Sequence, residues 1–444
     1  MWSRYLRTKE REGVVAIFHE LHPDPIYCSL EKWNEIVQGL ANDHESLVAT
    51  LKSKNLIVSS HCDDDRDFEK VESELMVKLN NPSILYLMTA QGCNFNCKYC
   101  PVPGIAKRHG ESLLSVNDAI AGINLWRSHL DDTHDPDSSY FVIFYGGEPL
   151  LNKDTISASL SYLDREIRKG SLPSNINFMI ATNGSLIDKK TIEMFKKYDV
   201  MVAVGLDGPK ELNDSLRVDC DGEGTFDRIT ASIEELTRSG IRTFVSTSIT
   251  PDNIDHIMEY SSFLKDFGIE KFGFNFLKGE MLMNMVGRDG IEGYYQKSSL
   301  GVIANYRQHD QAGFEYQMEK KQEAFDGGIF YPVDCTCYGN QLVIQPDGQI
   351  SNCPFYKAKL GHIQSVNPAF RIWDQDIVRE WRKRLPIYHE GEAKALSGGG
   401  CAWSSIELKG DYVTMDDSST IFSEEVLNEF IWSKYDNQLK SQNS

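Results

Sequence analysis

SILYLMTAQGCNFNCKYC, residues 83–100, is the stretch on which the reading of this chain turns. Residues 83–90 are a short run of apolar and β-preferring side chains, the pattern of a strand buried on both faces. Cys93, Cys97 and Cys100 follow on one loop. Three thiolates so placed can hold three irons of a [4Fe–4S] cube and leave the fourth without a protein ligand. An open iron can take an exogenous chelate. A four-thiolate zinc site usually needs paired Cys-x-x-Cys units, and no second pair lies nearby.

Outward from this loop, strand-like and helix-like segments alternate over residues 81–290. YFVIFYG (140–146), INFMIATNG (176–184), VMVAVGLDG (200–208), RTFVSTSI (242–249) and KFGFNFL (271–277) join 83–90 as strand candidates. Residues 117–129, 155–169, 189–198, 226–239 and 253–267 carry helical spacing between them. Six apolar strands with helical crossovers predict an α/β fold with a parallel sheet, a partial (β/α)6 TIM-type barrel. Sites in such folds gather at the C-terminal ends of the strands. Gly146, Gly147, Glu148 and Pro149 follow the second strand, and Thr182, Asn183 and Gly184 end the third. Gly205, Asp207 and Gly208 end the fourth, with Asn213, Asp214 and Arg217 beyond.

These residues, in this order, resemble the radical S-adenosylmethionine (SAM) superfamily. Its signature is the three-cysteine spacing of Cys93, Cys97 and Cys100 with an aromatic residue, Tyr99, before the third. The resemblance implies that the open iron chelates the amino and carboxylate groups of SAM. Reductive cleavage then gives methionine and a hydrogen-abstracting 5′-deoxyadenosyl radical, with the protein supplying aim. Gly146–Pro149 resembles the element that bonds the SAM ammonium, and Thr182-Asn183 matches many relatives. Asp207 and Arg217 lie in a stretch similar to one in peptide-modifying members, which makes Arg217 a partner for the SAM carboxylate. Gly205 departs from the pattern, since relatives often carry Ser there.

A second group of cysteines comprises Cys335, Cys337 and Cys353, with the turn QPDG (345–348) between short strands and Cys401 further on. Cys337 and Cys353 can face each other across a hairpin. This resembles the start of the SPASM/twitch module, an auxiliary-cluster domain of many peptide-modifying radical SAM enzymes. The module is reduced, because Ser397 stands where a relative carries a cysteine. The resemblance implies one auxiliary [4Fe–4S] cluster held by Cys335, Cys337, Cys353 and Cys401. A Cys-x-Cys pair is tight for one cube, which singles out Cys335 as the member that need not bind. A zinc site of the same four residues is the competing reading.

Residues 1–80 form a separate unit. VVAIFHEL (14–21) and PIYCSL (25–30) read as strands around the turn HPDP. Residues 31–40 and 45–54 read as helices, LIVSS (56–60) as a strand, 62–65 as an acidic surface loop and 67–79 as a linking helix. The order resembles the winged-helix recognition domain of ribosomal peptide pathways, which adds a precursor's leader peptide as a strand at a sheet edge. Residues 291–444, with a helix over 294–325, form the auxiliary-cluster domain.

Composition bounds the function. The formal net charge of −19 opposes a nucleic-acid grip. No run is apolar and long enough to span a bilayer, and residues 1–13 lack a secretion signal, so the expected location is the cytoplasm. The leading expectation is a maturase that cross-links a precursor peptide through a carbon–carbon, ether or thioether bond. Its expected partners are the leader-bearing precursor and an electron donor such as flavodoxin or ferredoxin. The alternatives are a dehydrogenase of a small molecule or protein side chain, an epimerase with Cys220 as hydrogen donor, and a non-catalytic iron–sulfur sensor. No residue stands out as the catalytic acid or base.

Overall fold

The computed structural model describes all residues except 40–43, 101–111, 270, 309–314, 356–357 and 443–444. Three strands open the chain: β1 (Leu6–Arg11), β2 (Val14–His19) and β3 (His22–Ser29), paired antiparallel in that order. Three helices follow, α1 (Leu30–Val37), α2 (Glu45–Ser53) and α3 (His61–Leu79). One face of the sheet, with Val15, Ile17 and Ile26, packs on Ile36, Leu51 and Leu56.

Three local expectations are corrected here, and one strand is added. HPDP is no turn: β3 begins at His22, and Glu20 and Leu21 make the reversal. An outer strand tolerates Pro23 and Pro25 because their missing N–H groups need face no neighbour. β1 went unread because its charges hide the strand, yet Lys9 reaches Glu392 at 3.0 Å and Arg11 pairs with Asp436. LIVSS contributes only an isolated bridge between Trp2 and Ile57. Residues 62–65 are the first turn of α3, where Asp63 accepts the N–H groups of Ser59 and Ser60 at 2.9 and 3.2 Å. Acidic side chains there favour a helix N-terminus. The last residue of the helix expected over 31–40 lies outside the described residues.

The main sheet holds β4 (Ile84–Ala90), β5 (Tyr140–Gly146), β6 (Ile176–Thr182), β7 (Met201–Gly205), β8 (Thr243–Ile249) and β9 (Phe272–Phe276), parallel and adjacent in chain order. Between them run α4 (Val116–Thr133), α5 (Lys153–Arg168), α6 (Lys189–Tyr198), α7 (Lys210–Leu216), α8 (Phe226–Arg238) and α9 (Ile257–Lys265). Their apolar faces and the strands share one core, with Leu87, Val142, Phe144, Ile180 and Val204 buried. The expected parallel α/β sheet of six strands is present, and it does not close.

Past β9 come α10 (Gly279–Val286), α11 (Ile291–Gln308) and α12 (Tyr316–Asp326). The helix expected over 294–325 is thus two helices, and residues 309–314 between them lie outside the described set. Then β10 (Gln341–Ile344) pairs parallel with β4, and β11 (Gln349–Ser351) and β12 (Gly361–His362) extend the sheet antiparallel. This pairing sets the second cysteine segment beside the first strand. Four helices finish the chain, α13 (Asp376–Arg382), α14 (Lys394–Ser397), α15 (Ala402–Lys409) and α16 (Asp417–Gln442). Among the described residues no helix is long and apolar enough to cross a membrane.

Candidate active site

Cys93, Cys97 and Cys100 sit just beyond the C-terminal end of β4, and the exits of β5, β6 and β7 support their loop. Gly147 N donates to Ala90 O and Glu148 N to Gly92 O, both at 2.9 Å. A Cβ on Gly146 would lie 2.2 Å from Ala90 O, and one on Gly147 2.2 Å from Gly92 O. Only glycine lets the β5 exit approach the cysteine loop this closely. From the other side Asn96 N donates to Val218 O at 2.7 Å and Lys98 N to Leu216 O at 3.0 Å.

Glu148 is fully buried, and its carboxylate is taken up by protein donors. Leu150 N and Thr182 Oγ1 reach Oε1 at 2.9 and 2.8 Å, and Asn183 N reaches Oε2 at 2.8 Å. It staples the β5 and β6 exits together, with Pro149 opening the next turn. Asn183 turns towards the cysteines: its Nδ2 donates to Asn94 Oδ1 at 2.9 Å and lies 3.8 Å from Cys93 Sγ. Asn94 Nδ2 donates in turn to Ser185 Oγ at 2.8 Å.

Asp207, Arg217 and Tyr99 form a buried triad. Arg217 Nε donates to Asp207 Oδ2 at 2.7 Å, and the Tyr99 hydroxyl donates to the same oxygen. Ser248 N donates to Oδ1 at 2.9 Å. The Arg217 guanidinium stands 5.6 Å from the Tyr99 ring centroid, within cation–π range. Gly205 has its reason here: an added Cβ would lie 2.4 Å from an Arg217 Nη atom. The guanidinium takes the space a serine side chain would need.

Burial pushes the Cys93 thiol up to about 12 and the Cys97 thiol up to about 11, the latter partly offset by Arg217. Neither thiol ionises readily without a cation beside it. In neither cysteine set do three sulfurs lie within 4.8 Å of one another, among the described residues.

The second set is gathered from three segments. Cys335 and Cys337 precede β10, Cys353 follows β11 and Cys401 precedes α15. The Cys337 thiol donates to the Cys335 sulfur, which lowers Cys335 to about 7, while burial pushes Cys337 up. Cys337 feels both Cys353 and Cys401. Asn352 Nδ2 donates to Cys337 O at 3.0 Å, tying the two hairpin ends. Burial raises Cys401 to about 11, opposed by Lys278. Lys278 follows β9 and pairs with Asp416 at 3.1 Å, and Asp416 accepts Cys401 N at 3.1 Å. Ser397 is no ligand here: its carbonyl accepts the Ser419 hydroxyl, which also donates to Asp334 at 2.6 Å.

The two sets meet through Tyr145 of β5. Burial raises its phenol to about 12, with Cys100 and Cys353 adding to the shift. Its ring contacts Tyr86 and Phe355, each at 6.1 Å, and Phe355 stacks towards Trp403 at 5.5 Å. Tyr145, Asn94, Lys278 and Asp416 went unread in the sequence. Tyr145 was one apolar strand position among several, and the other three carried no motif. The usable signal for Lys278 was its place just past the last strand, at the active end of the sheet.

An open parallel sheet whose first strand exit carries three half-buried cysteines, braced by the next three exits, is the arrangement expected of a radical SAM core. Residues 87–264 match the radical SAM superfamily, so the chain carries a radical SAM domain, the domain of enzymes that use a [4Fe–4S] cluster and SAM. It is 26% identical over 401 residues to the radical SAM cyclopropyl synthase TigE of Paramaledivibacter caminithermalis, covering 82% of this chain and 80% of that one. It is 24% identical to the cysteine-type anaerobic sulfatase-maturating enzyme of Clostridium perfringens, over 72% of this chain and 88% of that one. Its fold is shared with native anSMEcpe bound to AdoMet and the Cp18Cys peptide, at a TM-score of 0.62, 20% identity and coverage of 81% and 98%. Streptococcus suis SuiB bound to precursor peptide SuiA gives a TM-score of 0.50 at 15% identity, over 95% of this chain and 99% of that one.

Proposed function

We propose that the chain is a peptide maturase that forms an intramolecular cross-link in a ribosomally made precursor. The observation that carries this reading is the second cysteine set, gathered beside the barrel mouth with Tyr145 between it and the first. When bound, the first cluster and SAM supply hydrogen abstraction, and an auxiliary cluster supplies an acceptor for the additional electron that bond formation releases.

In this reading Cys93, Cys97 and Cys100 hold the SAM cluster, and Gly146, Gly147 and the Arg217 Nη atoms face SAM. Glu148, Pro149, Thr182, Asn183, Tyr99 and Asp207 fix those positions. Cys337, Cys353 and Cys401 hold the auxiliary cluster, with Cys335 hydrogen-bonded beside them. Residues 1–80 receive the leader, 81–290 perform the chemistry and 291–444 carry the auxiliary cluster. β1 is an outer strand with no proline and is suited to strand addition. Flavodoxin or ferredoxin would deliver the reducing electron. A peptide partner is supported by two neighbours of the same fold, solved with bound peptides.

The test is incubation of reconstituted enzyme with SAM, reductant and a precursor encoded beside it. The expected product is lighter by two hydrogens and cross-linked by tandem mass spectrometry. A bound precursor left at unchanged mass overturns the reading. A second reading rests on Cys220, which is exposed with Sγ 3.8 Å from Cys93 O. From there a thiol could return a hydrogen atom, as an epimerase requires. Deuterium uptake from heavy water with no net hydrogen loss separates the two.

A further inference from the structure

Outside both cysteine sets, the β2–β3 reversal brings His19 and His22 against Asp67 of α3. Their ligand atoms all lie within 4.8 Å of one another. Asp67 Oδ2 stands 3.0 Å from His22 Nε2 and 3.7 Å from His19 Nε2. Ligands on a tetrahedral zinc ion with ~2.0 Å bonds stand about 3.3 Å apart. The triangle is therefore close to the size such an ion requires before any adjustment.

Two further observations point to a ligand. His19 is 2% exposed, and its Nε2 is buried with no hydrogen-bond partner while facing the carboxylate. Leaving such an atom unpaired costs stability. His22 Nδ1 lies 3.3 Å from Gly328 O, an acceptor only, so this nitrogen carries the proton. In the neutral ring, that tautomer turns the Nε2 lone pair on to the two Asp67 oxygens, both at 3.0 Å. A cation at Nε2 turns that contact attractive: the ring's own second proton, which the Asp67 carboxylate favours, or a metal ion that replaces it. A backbone carbonyl on the far ring nitrogen is also how metal-binding histidines are commonly oriented. The other polar contact is Leu21 N to His19 Nδ1 at 3.2 Å, which metal binding would give up.

We propose that His19, His22 and Asp67 bind a divalent transition-metal ion, zinc by its ligand set, which clasps the β2–β3 reversal to α3. The near-complete burial of His19 makes this a structural site. His22, 35% exposed, is the side from which the ion enters. Through Gly328 the clasp also reaches the end of α12, so it would fix residues 1–80 on the rest of the chain.

The test uses the full chain with its iron–sulfur clusters loaded, so that the cysteines are occupied. After equilibration with zinc and removal of excess, mass spectrometry of the metals should find about one zinc per chain. In the double variant His22→Ala, Asp67→Asn zinc should fall to background with iron unchanged. Zinc absent from the wild type, or retained by the variant, overturns the proposal. If the variant does not fold, zinc-edge X-ray absorption of the wild type decides alone. A shell of nitrogen and oxygen supports the site, and a sulfur shell overturns it.

Discussion

The two cysteine sets are assembled in opposite ways. Cys93, Cys97 and Cys100 lie on one loop, and the structure spends other residues on bracing it: glycines at the β5 exit, the Glu148 staple and the Asp207–Arg217–Tyr99 triad. Cys335, Cys337, Cys353 and Cys401 come from segments far apart in sequence, brought together by β10 pairing with β4 and by α15. The first set is fixed by local spacing and braced by tertiary structure. The second exists only once the tertiary structure has formed. That difference should appear as a difference in what each substitution destroys.

The largest effect belongs to the first set. Cys97→Ala should abolish 5′-deoxyadenosine formation from SAM and reductant, by roughly a thousandfold or more, because an iron loses its ligand. Chromatography of the quenched reaction reads this directly. Cleavage near the wild-type rate would remove Cys97 from the proposed ligands.

The second set should separate cleavage from product. Cys353→Ala should leave SAM cleavage within about threefold of wild type, lower iron by about four atoms per chain and remove the modified peptide. Cys335→Ser should keep that iron. Its sulfur accepts the Cys337 thiol, and two sulfurs that close do not suit separate corners of one cube. If Cys335→Ser loses as much iron as Cys353→Ala, all four cysteines are ligands.

A smaller effect tests the bracing. Gly205→Ser restores the side chain common in relatives, but its Cβ would meet Arg217 at 2.4 Å. Overpacking of this kind costs roughly 1–3 kcal/mol, read as a lower midpoint in denaturant unfolding. Arg217→Lys in the same chain should recover part of the loss by vacating the space. No recovery would mean that the strain lies elsewhere.

How much could be read beforehand follows the same division. The six parallel strands were legible because each is a continuous apolar run, and the first cysteine set because its spacing is local. The second set was legible only by resemblance, since nothing in the spacing of Cys353 and Cys401 says that they meet. Glu148 and Arg217 sit in recognisable motifs, yet their protein partners, Thr182 and Asp207, follow from strand register. β1 was missed because Arg7, Lys9 and Arg11 look like surface, although Arg7 pairs with the buried Glu20. Lys278 and Asp416 are ordinary residues until the β9 exit and the start of α16 bring them to Cys401.

The smallest expected effect is a difference in thiol ionisation when the chain is kept cluster-free and anaerobic. Burial drives Cys93 up to about 12 and Cys97 up to about 11, with no donor strong enough to oppose it. Cys335 moves the other way, to about 7, because the Cys337 thiol donates to its sulfur and outweighs burial. A lowered thiol pKa means that the thiolate is populated above pH 7 and lost as pH falls through it. Only the thiolate is alkylated, so labelling at Cys335 should rise across pH 6 to 8, about tenfold per unit below the midpoint. Cys93 and Cys97 should stay unlabelled over that range. Site-resolved mass spectrometry after short exposure to iodoacetamide separates them. Serine at position 337 still donates, so Cys337→Ala is the informative control: it removes the donor and should return Cys335 towards the ordinary thiol range. Equal labelling of both sets at pH 7 would show that local and assembled cysteine sites do not differ in this respect, and the contrast would then rest on iron content alone.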